Sequence, residues 1–175
     1  ALSNVADRIS SSDQLASDQP LLGMVQTADI TVHSLILDNG KITAESLSEG
    51  GGDINLNVRD FILLRNNSLI STTAGTAGLG GSGGNITIAN PDGFVVAAPR
   101  ENSDIIANAF SGTGGNIAIT TQSILGLEAR LASFDNRTND IDASSEFGNN
   151  GTITLNNLEL DPAQGTIELP TNLSS

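Results

Sequence analysis

The amino-acid sequence predicts an all-β fold, a parallel β-helix (solenoid) of about five coils with three short strands in each coil. A Gly-Gly-Asx-Ile-like signature recurs along the 175 residues, and each copy opens a block of strand-like pieces separated by polar loops. The chain is also rich in Gly, Asn, Ser and Thr, which suit frequent turns. One such block cannot bury its apolar side chains alone, so a core requires that successive blocks stack.

The signature sets the length of the repeat. Its second glycine recurs after 32, 31 and 36 residues, and a shorter fifth copy that begins at Asp29 precedes the others. We expect each signature to mark the start of the first strand of a coil, not a binding loop. The four full copies are Gly51-Gly52-Asp53-Ile54, Gly83-Gly84-Asn85-Ile86, Gly114-Gly115-Asn116-Ile117 and Asn150-Gly151-Thr152-Ile153.

Each block contains three strand-like pieces. In the first piece apolar and polar residues alternate, so that Ile54, Leu56 and Val58 share one face of a strand. The second piece is a nearly continuous apolar run, as at residues 61–64, and the third is short, as at residues 69–71. Three strands in each block of this length are typical of one coil of a solenoid.

Other repeat folds fit the pattern less well. A β-propeller blade needs four strands and about 40 residues or more. A β-sandwich predicts regularly spaced strands but no signature that repeats in register. A helical repeat requires a period of 3.6 residues, which residues 28–170 lack.

Two interpretations are open for the Asx residue of the signature. Asn85 and Asn116 occupy equivalent positions, with Asp53 one repeat earlier. In stacked β structures such residues can form hydrogen-bonded ladders from one layer to the next. They can equally be plain turn residues.

Composition excludes several classes of function. The formal net charge is −13 with only seven Lys and Arg, so nucleic acid is not expected as a partner. The absence of cysteine excludes disulfides and thiolate metal sites. No apolar run approaches the roughly 18 residues of a membrane span. With aromatic residues at 3%, we expect a thin, aliphatic core.

The two ends of the chain depart from the repeat. We assign residues 1–27 to an N-terminal arm or cap, residues 28–170 to the β-helix and residues 171–175 to a tail. The arm allows three interpretations: a short helix that caps the first coil, an unstructured arm, or a truncated earlier coil. The sequence offers no strong cap for the coil ends, and unpaired strand edges invite pairing with another chain.

Several motifs, taken in order, resemble a known family. They cover about residues 28–170 and are densest over residues 83–170. They are the stretches 97–110 (AAPRENSDIIANAF), 114–117 (GGNI), 124–128 (ILGLE), 142–148 (DASSEFG) and 160–165 (LDPAQG). This order of motifs resembles the C-terminal part of cyanobacterial filamentous-haemagglutinin-like exoproteins.

The resemblance implies a right-handed parallel β-helix, two-partner secretion through an outer-membrane partner, and a role in adhesion or the extracellular matrix. The chain departs from the family in two respects, and the first is that 175 residues are far fewer than a full exoprotein has. The secretion domain of such exoproteins carries Asn-Pro motifs early in a long chain, and here only the Asn90-Pro91-Asp92-Gly93 stretch is similar. Because it lies inside a repeat, we interpret it as a turn.

The residues give little support to catalysis or metal binding. His33 is the only histidine, and no nucleophile and acid are identifiable that would complete a triad with it. We expect no cofactor. Asp135, Asp140 and Asp142 are candidates for calcium, which prefers hard oxygen ligands. The alternative is that their charges are simply solvated in a loop.

The second piece of each block predicts an outward apolar stripe, because its apolar run places side chains on both faces of the strand. Stacking would align the outward residues along the solenoid. Such a stripe indicates a protein partner or a covering segment of the chain. We assign to this partner or assembly stripe Phe61, Leu63, Phe94, Val96 and Leu125.

Two functions are therefore expected. The first is a non-enzymatic structural or adhesive module, secreted or on the cell surface. It would associate with itself or with a protein partner through the coil ends or the stripe, with a glycan or a cell surface as a further partner, and it would not span a membrane. The alternative is a β-helical carbohydrate-active enzyme, a polysaccharide lyase or hydrolase.

Overall fold

The computed structural model describes residues 14–15, 27–47, 49–133 and 135–158, and within them the chain is all-β, without a helix. Five longer strands are β2 (Thr27–Asp38), β4 (Asp53–Arg65), β6 (Ile86–Ala97), β8 (Asn116–Leu125) and β11 (Thr152–Asn157). Six short strands are β1 (Gln14–Leu15), β3 (Lys41–Thr43), β5 (Leu69–Ser71), β7 (Asp104–Ile106), β9 (Glu128–Ala129) and β10 (Asp140–Asp142).

The strands form two parallel sheets, and the chain alternates between them. The longer strands make a five-stranded sheet in the order β2-β4-β6-β8-β11. The short strands make a six-stranded sheet in the order β1-β3-β5-β7-β10-β9. Each successive block thus contributes one longer strand to the first sheet and one short strand to the second. This confirms the predicted all-β class and the parallel pairing of each strand with its counterpart in the next block.

The first two predicted pieces of each block are one strand, not two. Residues 53–65 form β4 without interruption, and the register to β6 shifts between Asn57 and Phe61. A second shift, from β6 to β8, lies between Asn90 and Phe94. The stretch predicted as a turn at 90–93 therefore lies inside β6. A β-bulge at this point keeps the strand paired while changing its direction.

The core lies between the two sheets and consists of aliphatic residues. Ile42, Ile70, Ile105 and Ile141 are register partners along the short-strand sheet, and none is exposed to solvent. On the five-stranded sheet the equivalent rows include Ile30, Leu56, Ile88 and Ile119. Each fully buried side chain of this kind stabilises the fold by about 1.5–3 kcal/mol. The predicted aliphatic core is confirmed among the described residues.

The second glycine of each signature is required by close approach of the backbone. A Cβ built on Gly84 would overlap the carbonyl oxygen of Gly52, and one on Gly115 would overlap that of Gly84. Gly151 stands in the same relation to Gly115. Each of the three also donates its N–H to a carbonyl just after the preceding short strand, as Gly84 does to Thr72 at 3.0 Å. The signature thus marks the point where stacked blocks approach most closely.

The Asx residue of the signature forms a ladder from one block to the next. Asp53 Oδ1 accepts the backbone N–H of Asn85 at 3.0 Å, and Asn85 Oδ1 accepts that of Asn116 at 3.2 Å. Asn116 Oδ1 then accepts the hydroxyl of Thr152 at 2.6 Å. The ladder interpretation is confirmed, but most of its bonds run from side chain to backbone, not from amide to amide.

One end of the short-strand sheet is covered by the chain itself. β9 precedes β10 in sequence but pairs with its outer edge, with Glu128 opposite Asp140 and Ala129 opposite Ile141. It occupies the place that the short strand of the next block would take. Because β9 has only two residues and is itself the edge strand among the described residues, the expectation that the chain offers no strong cap stays a prediction. At the opposite edge β1 pairs with β3, so Gln14 and Leu15 extend the same sheet.

The remaining residues of the predicted arm, 1–13 and 16–26, lie outside the described residues, as do residues 159–175 and the predicted tail within them.

Candidate functional site

The predicted apolar stripe lies on the outer face of the second half of the longer strands. Phe61 pairs with Phe94, while Leu63, Val96 and Leu125 are successive register partners in a second row. Phe94 is 41% exposed and Leu125 is 48% exposed, and the other three are half-buried. The structure thus brings all five residues together, and we refer to them as the outer apolar rows.

The inner face of the same segment explains this arrangement. Ile62, Leu64 and Val95, which alternate with the outer residues, are fully buried. Successive side chains of a strand point to opposite faces, so an uninterrupted apolar run must leave half of its members outside the core. Ile36 on β2 faces Leu63 and extends the second row by one strand.

A second apolar patch was not predicted. Phe110 and Phe147 follow two of the bridged positions that align between blocks, and their rings meet edge to face at 5.0 Å between centroids. Phe147 remains 71% exposed. Single phenylalanines in Gly- and Ser-rich loops were the only signal in the sequence, because the loops themselves lack a strand pattern.

Residues 126–139, which we call the strap, connect β8 to β10 and carry β9. Arg130 donates its Nε–H to Asp140 and contacts Glu128 at 3.2 Å. Farther along, the backbone N–H of Ala132 donates to Asp142 Oδ2 at 2.8 Å, and Asn102 donates to the Ser133 carbonyl at 3.1 Å. These bonds hold the strap against the outer face of the short-strand sheet.

Two of the three candidate calcium ligands are anchors of the strap. Asp140 has no exposed surface and accepts from Arg130, Asn136 and Thr138. Asp142 is also buried and accepts from Asn108, Ala132 and Ser144.

Asp135, the third candidate, is exposed and accepts from the Ser133 hydroxyl. No group of three or more His, Cys, Asp or Glu within the described part of the chain is placed to hold a metal ion. Calcium binding stays a prediction.

A cleft lies between the strap and the outer face of the short-strand sheet. Its volume is about 510 Å³, inside the range of about 300–1,000 Å³ that is usual for ligand pockets. The floor contains the half-buried Leu69 and Ile106. The cleft is lined by Lys41, Asn67, Ser68, Leu69, Asn102, Asp104, Ile106, Ala132 and Ser133.

Three polar groups converge on this cleft. Lys41 is exposed at one end and forms no ion pair with the described residues. Asp104 Oδ1 accepts the backbone N–H of Asp140 at 2.8 Å, whereas its Oδ2 accepts no hydrogen bond from the described residues. Asn102 Oδ1 is a buried acceptor without a partner there, next to the bond from its amide group to Ser133.

Asp104 is a carboxyl group in this cleft with a strongly raised pKa. Burial raises its pKa to about 6, and the charges of Asp140 and Asp142 act in the same direction. The N–H of Asp140 and the charge of Arg130 oppose the rise. Strongly perturbed carboxyl groups in clefts are candidates for functional sites, although structural networks also produce them.

A separate ion pair stabilises the turn between the longer and the short strand. Arg65 donates to both carboxylate oxygens of Glu101, at 2.8 and 2.9 Å, and the N–H of Asn66 donates to the same carboxylate at 2.8 Å. These bonds, first of all those from Arg65, lower the pKa of Glu101 to about 2. The pair ties two successive blocks together.

His33 lies in a groove at the bend of the longer strands. The groove has a volume of about 490 Å³, and Arg59 and Asp92 also line it. His33 is exposed and interacts with another part of the chain. Among the described residues that line this groove, Thr31 is the one that carries a hydroxyl or thiol group.

No protein-family model, curated protein or solved structure matches this chain. The described residues contain no helix of the length and hydrophobicity needed to cross a membrane.

Proposed function

We propose that the chain is a right-handed parallel β-helix of about five coils and serves as a structural and adhesive module of a secreted or cell-surface protein. The alternation between two parallel sheets supports the coil architecture. The parallel pairing of each strand with its counterpart in the next block supports the coil architecture as well. Handedness, secretion and adhesion rest on the resemblance to haemagglutinin-like exoproteins.

The outer apolar rows carry the functional part of the proposal. Parallel sheets are normally covered on both faces, yet Phe94 and Leu125 remain 41% and 48% exposed. Apolar surface that is ordered into rows along several strands marks a contact with another protein more often than scattered single residues do. A module that adheres or assembles needs such a surface.

The two sheets differ in how they support association at the ends. In the short-strand sheet β9 already occupies one edge. Among the described strands β11 is the edge of the five-stranded sheet at that end, so end-to-end association there would use β11. At the other end it would use β2. Pairing of β11 of one copy with β2 of the next continues the same parallel arrangement and generates an open filament.

Sedimentation and electron microscopy of the purified protein test this proposal. We expect assemblies that grow with concentration, and a Phe94→Ser and Leu63→Ser double variant should shift them towards monomers. Thr87→Ser is the matched control, because Thr87 lies on the outer face of β6 outside the apolar rows. A wild-type protein that stays monomeric at every concentration and adheres to no surface would overturn the proposal.

A further inference from the structure

The cleft beneath the strap combines features that neither the stacking nor the outer apolar rows require. A solenoid surface needs no concavity, yet here the strap adds a wall to one face of the short-strand sheet. Ser133 in that wall lines the cleft, as does Asn102. The Asn102 side-chain amide donates a hydrogen bond to the Ser133 carbonyl oxygen at 3.1 Å. The remaining wall and floor come from short strands of three successive blocks, through Lys41, Leu69 and Asp104.

The chemistry of the lining is that of hydroxyl recognition. Lys41 supplies an ammonium donor, and Asp104 Oδ2 is an acceptor that no described residue uses. Asn102 Oδ1 is a second acceptor without a partner among the described residues, but it has no accessible surface, so a ligand would reach it only by displacing the bond from Asn102 to Ser133. An unpaired buried acceptor costs about 1–3 kcal/mol, and a ligand hydroxyl that displaced this bond would recover part of that cost by pairing with Asn102 Oδ1.

The floor of the cleft complements these groups. Leu69 and Ile106 present half-buried aliphatic surface between the polar groups. A ligand that alternates hydroxyls with C–H faces matches both kinds of surface, and this alternation is the property of a sugar ring. The net charge of −13 disfavours a polyanion, because the field of the whole protein repels it.

From this arrangement we infer that the cleft formed by Lys41, Leu69, Asn102, Asp104, Ile106 and Ser133 binds an uncharged oligosaccharide. The inference deepens the adhesive part of the proposed function and rests on it. It names a glycan as the ligand for adhesion and the cleft as its binding site. The outer apolar rows then serve contacts between proteins, and the cleft serves contact with carbohydrate.

An NMR titration of ¹⁵N-labelled full-length protein tests the inference. The probes are cellotetraose, maltotetraose and laminaritetraose as uncharged arms and tetragalacturonate as the acidic arm. At least one uncharged probe should shift backbone signals of Lys41, Leu69, Asp104 and Ser133. Lys41→Gln, an exposed change, should weaken the binding about fivefold, as expected for the loss of one hydrogen bond.

Ser133→Phe tests the location of the site, because it places a ring in the cleft and leaves the floor unchanged. It should abolish the shifts, whereas Thr87→Ala on the other sheet should leave them as they are. Overturning results are no binding of any uncharged probe at about 10 mM, binding of the acidic probe alone, or full binding by Ser133→Phe. Sedimentation of Ser133→Phe separates the two proposals, since its assembly should equal that of the wild type even where saccharide binding fails.

Discussion

Gly84 lies directly over Gly52, so close that a Cβ on Gly84 would overlap the Gly52 carbonyl oxygen. The same relation repeats between Gly115 and Gly84 and between Gly151 and Gly115. The repeating signature is therefore a steric requirement of stacking. The signature fixes where one block meets the next. The Asx ladder is formed by the residue that follows the second glycine.

Gly84→Ala should destabilise the protein by about 3 kcal/mol, because the added methyl group must displace the backbone of the previous block. Urea denaturation followed by circular dichroism measures this change. Gly80→Ala is the matched control, since a Cβ at Gly80 meets nothing within 4 Å. Equal stability of the two variants would contradict the close approach at Gly84.

Asp104→Asn should stabilise the protein at pH 8 by about 2 kcal/mol and have little effect near pH 4. Because burial raises the pKa of Asp104 to about 6, the folded state holds this proton more tightly than the unfolded state. The wild type therefore loses stability as the pH rises from about 4 through 6. Thermal melts of both proteins across this range test the prediction. A stability difference between Asp104→Asn and the wild type that does not change with pH would contradict the raised pKa of Asp104.

Glu101→Gln should have the opposite pH dependence. The pKa of Glu101 is lowered to about 2, so the bonds from Arg65 and Asn66 stabilise the fold above about pH 4.5 and are lost as the pH falls towards 2. We expect the melting temperature at pH 7 to fall by roughly 2–4 °C, because the pair is partly exposed. The difference from the wild type should vanish near pH 2. A difference that persists there would mean that the glutamine disturbs packing instead.

Arg130→Gln should loosen the strap, including β9, without affecting the other strands of the two sheets. The variant loses the bond from Arg130 to the buried Asp140, which helps to hold β9 on β10. Hydrogen exchange should accelerate at the amides of Glu128 and Arg130, whose bonds to Asn139 and Ile141 attach β9.

The matched control for the strap is Arg137→Gln. It removes the same charge from an exposed position of the same segment, where no bond to a described residue is lost. Exchange at β9 should then stay at the wild-type rate. Acceleration by both variants alike would mean that the charge of the strap matters and the Arg130–Asp140 pair does not.

The periodic part of the fold was predictable from the sequence. The signature predicted the starts of β4, β6, β8 and β11 to within about two residues. It could do so because stacking needs a small residue and an Asx acceptor at the same place in every block. The two-residue period also placed Ile54, Leu56 and Val58 on one face of a strand, and all three are buried.

The strap and the cleft could not be predicted in the same way. β9 has only two residues, Glu128 and Ala129, and both are exposed, so no hydrophobic pattern marks it. Its attachment depends on Asp140 and Asp142, whose carboxylates in sequence look like ordinary loop charge. The cleft depends on contacts between residues as distant as Lys41 and Ser133, which a repeat pattern does not reveal.

Cysteine cross-linking tests the stacking of the blocks most directly, since the chain has no cysteine of its own. Asn55 and Thr87 are register partners on β4 and β6, and parallel neighbours lie about 4.8 Å apart, within disulfide range. The Asn55→Cys and Thr87→Cys double variant should form an intramolecular disulfide on mild oxidation. The Asn55→Cys and Asn85→Cys pair, two residues out of register on the same face, should cross-link much more slowly. Faster cross-linking of the shifted pair, or cross-links only between molecules, would contradict the stacked arrangement.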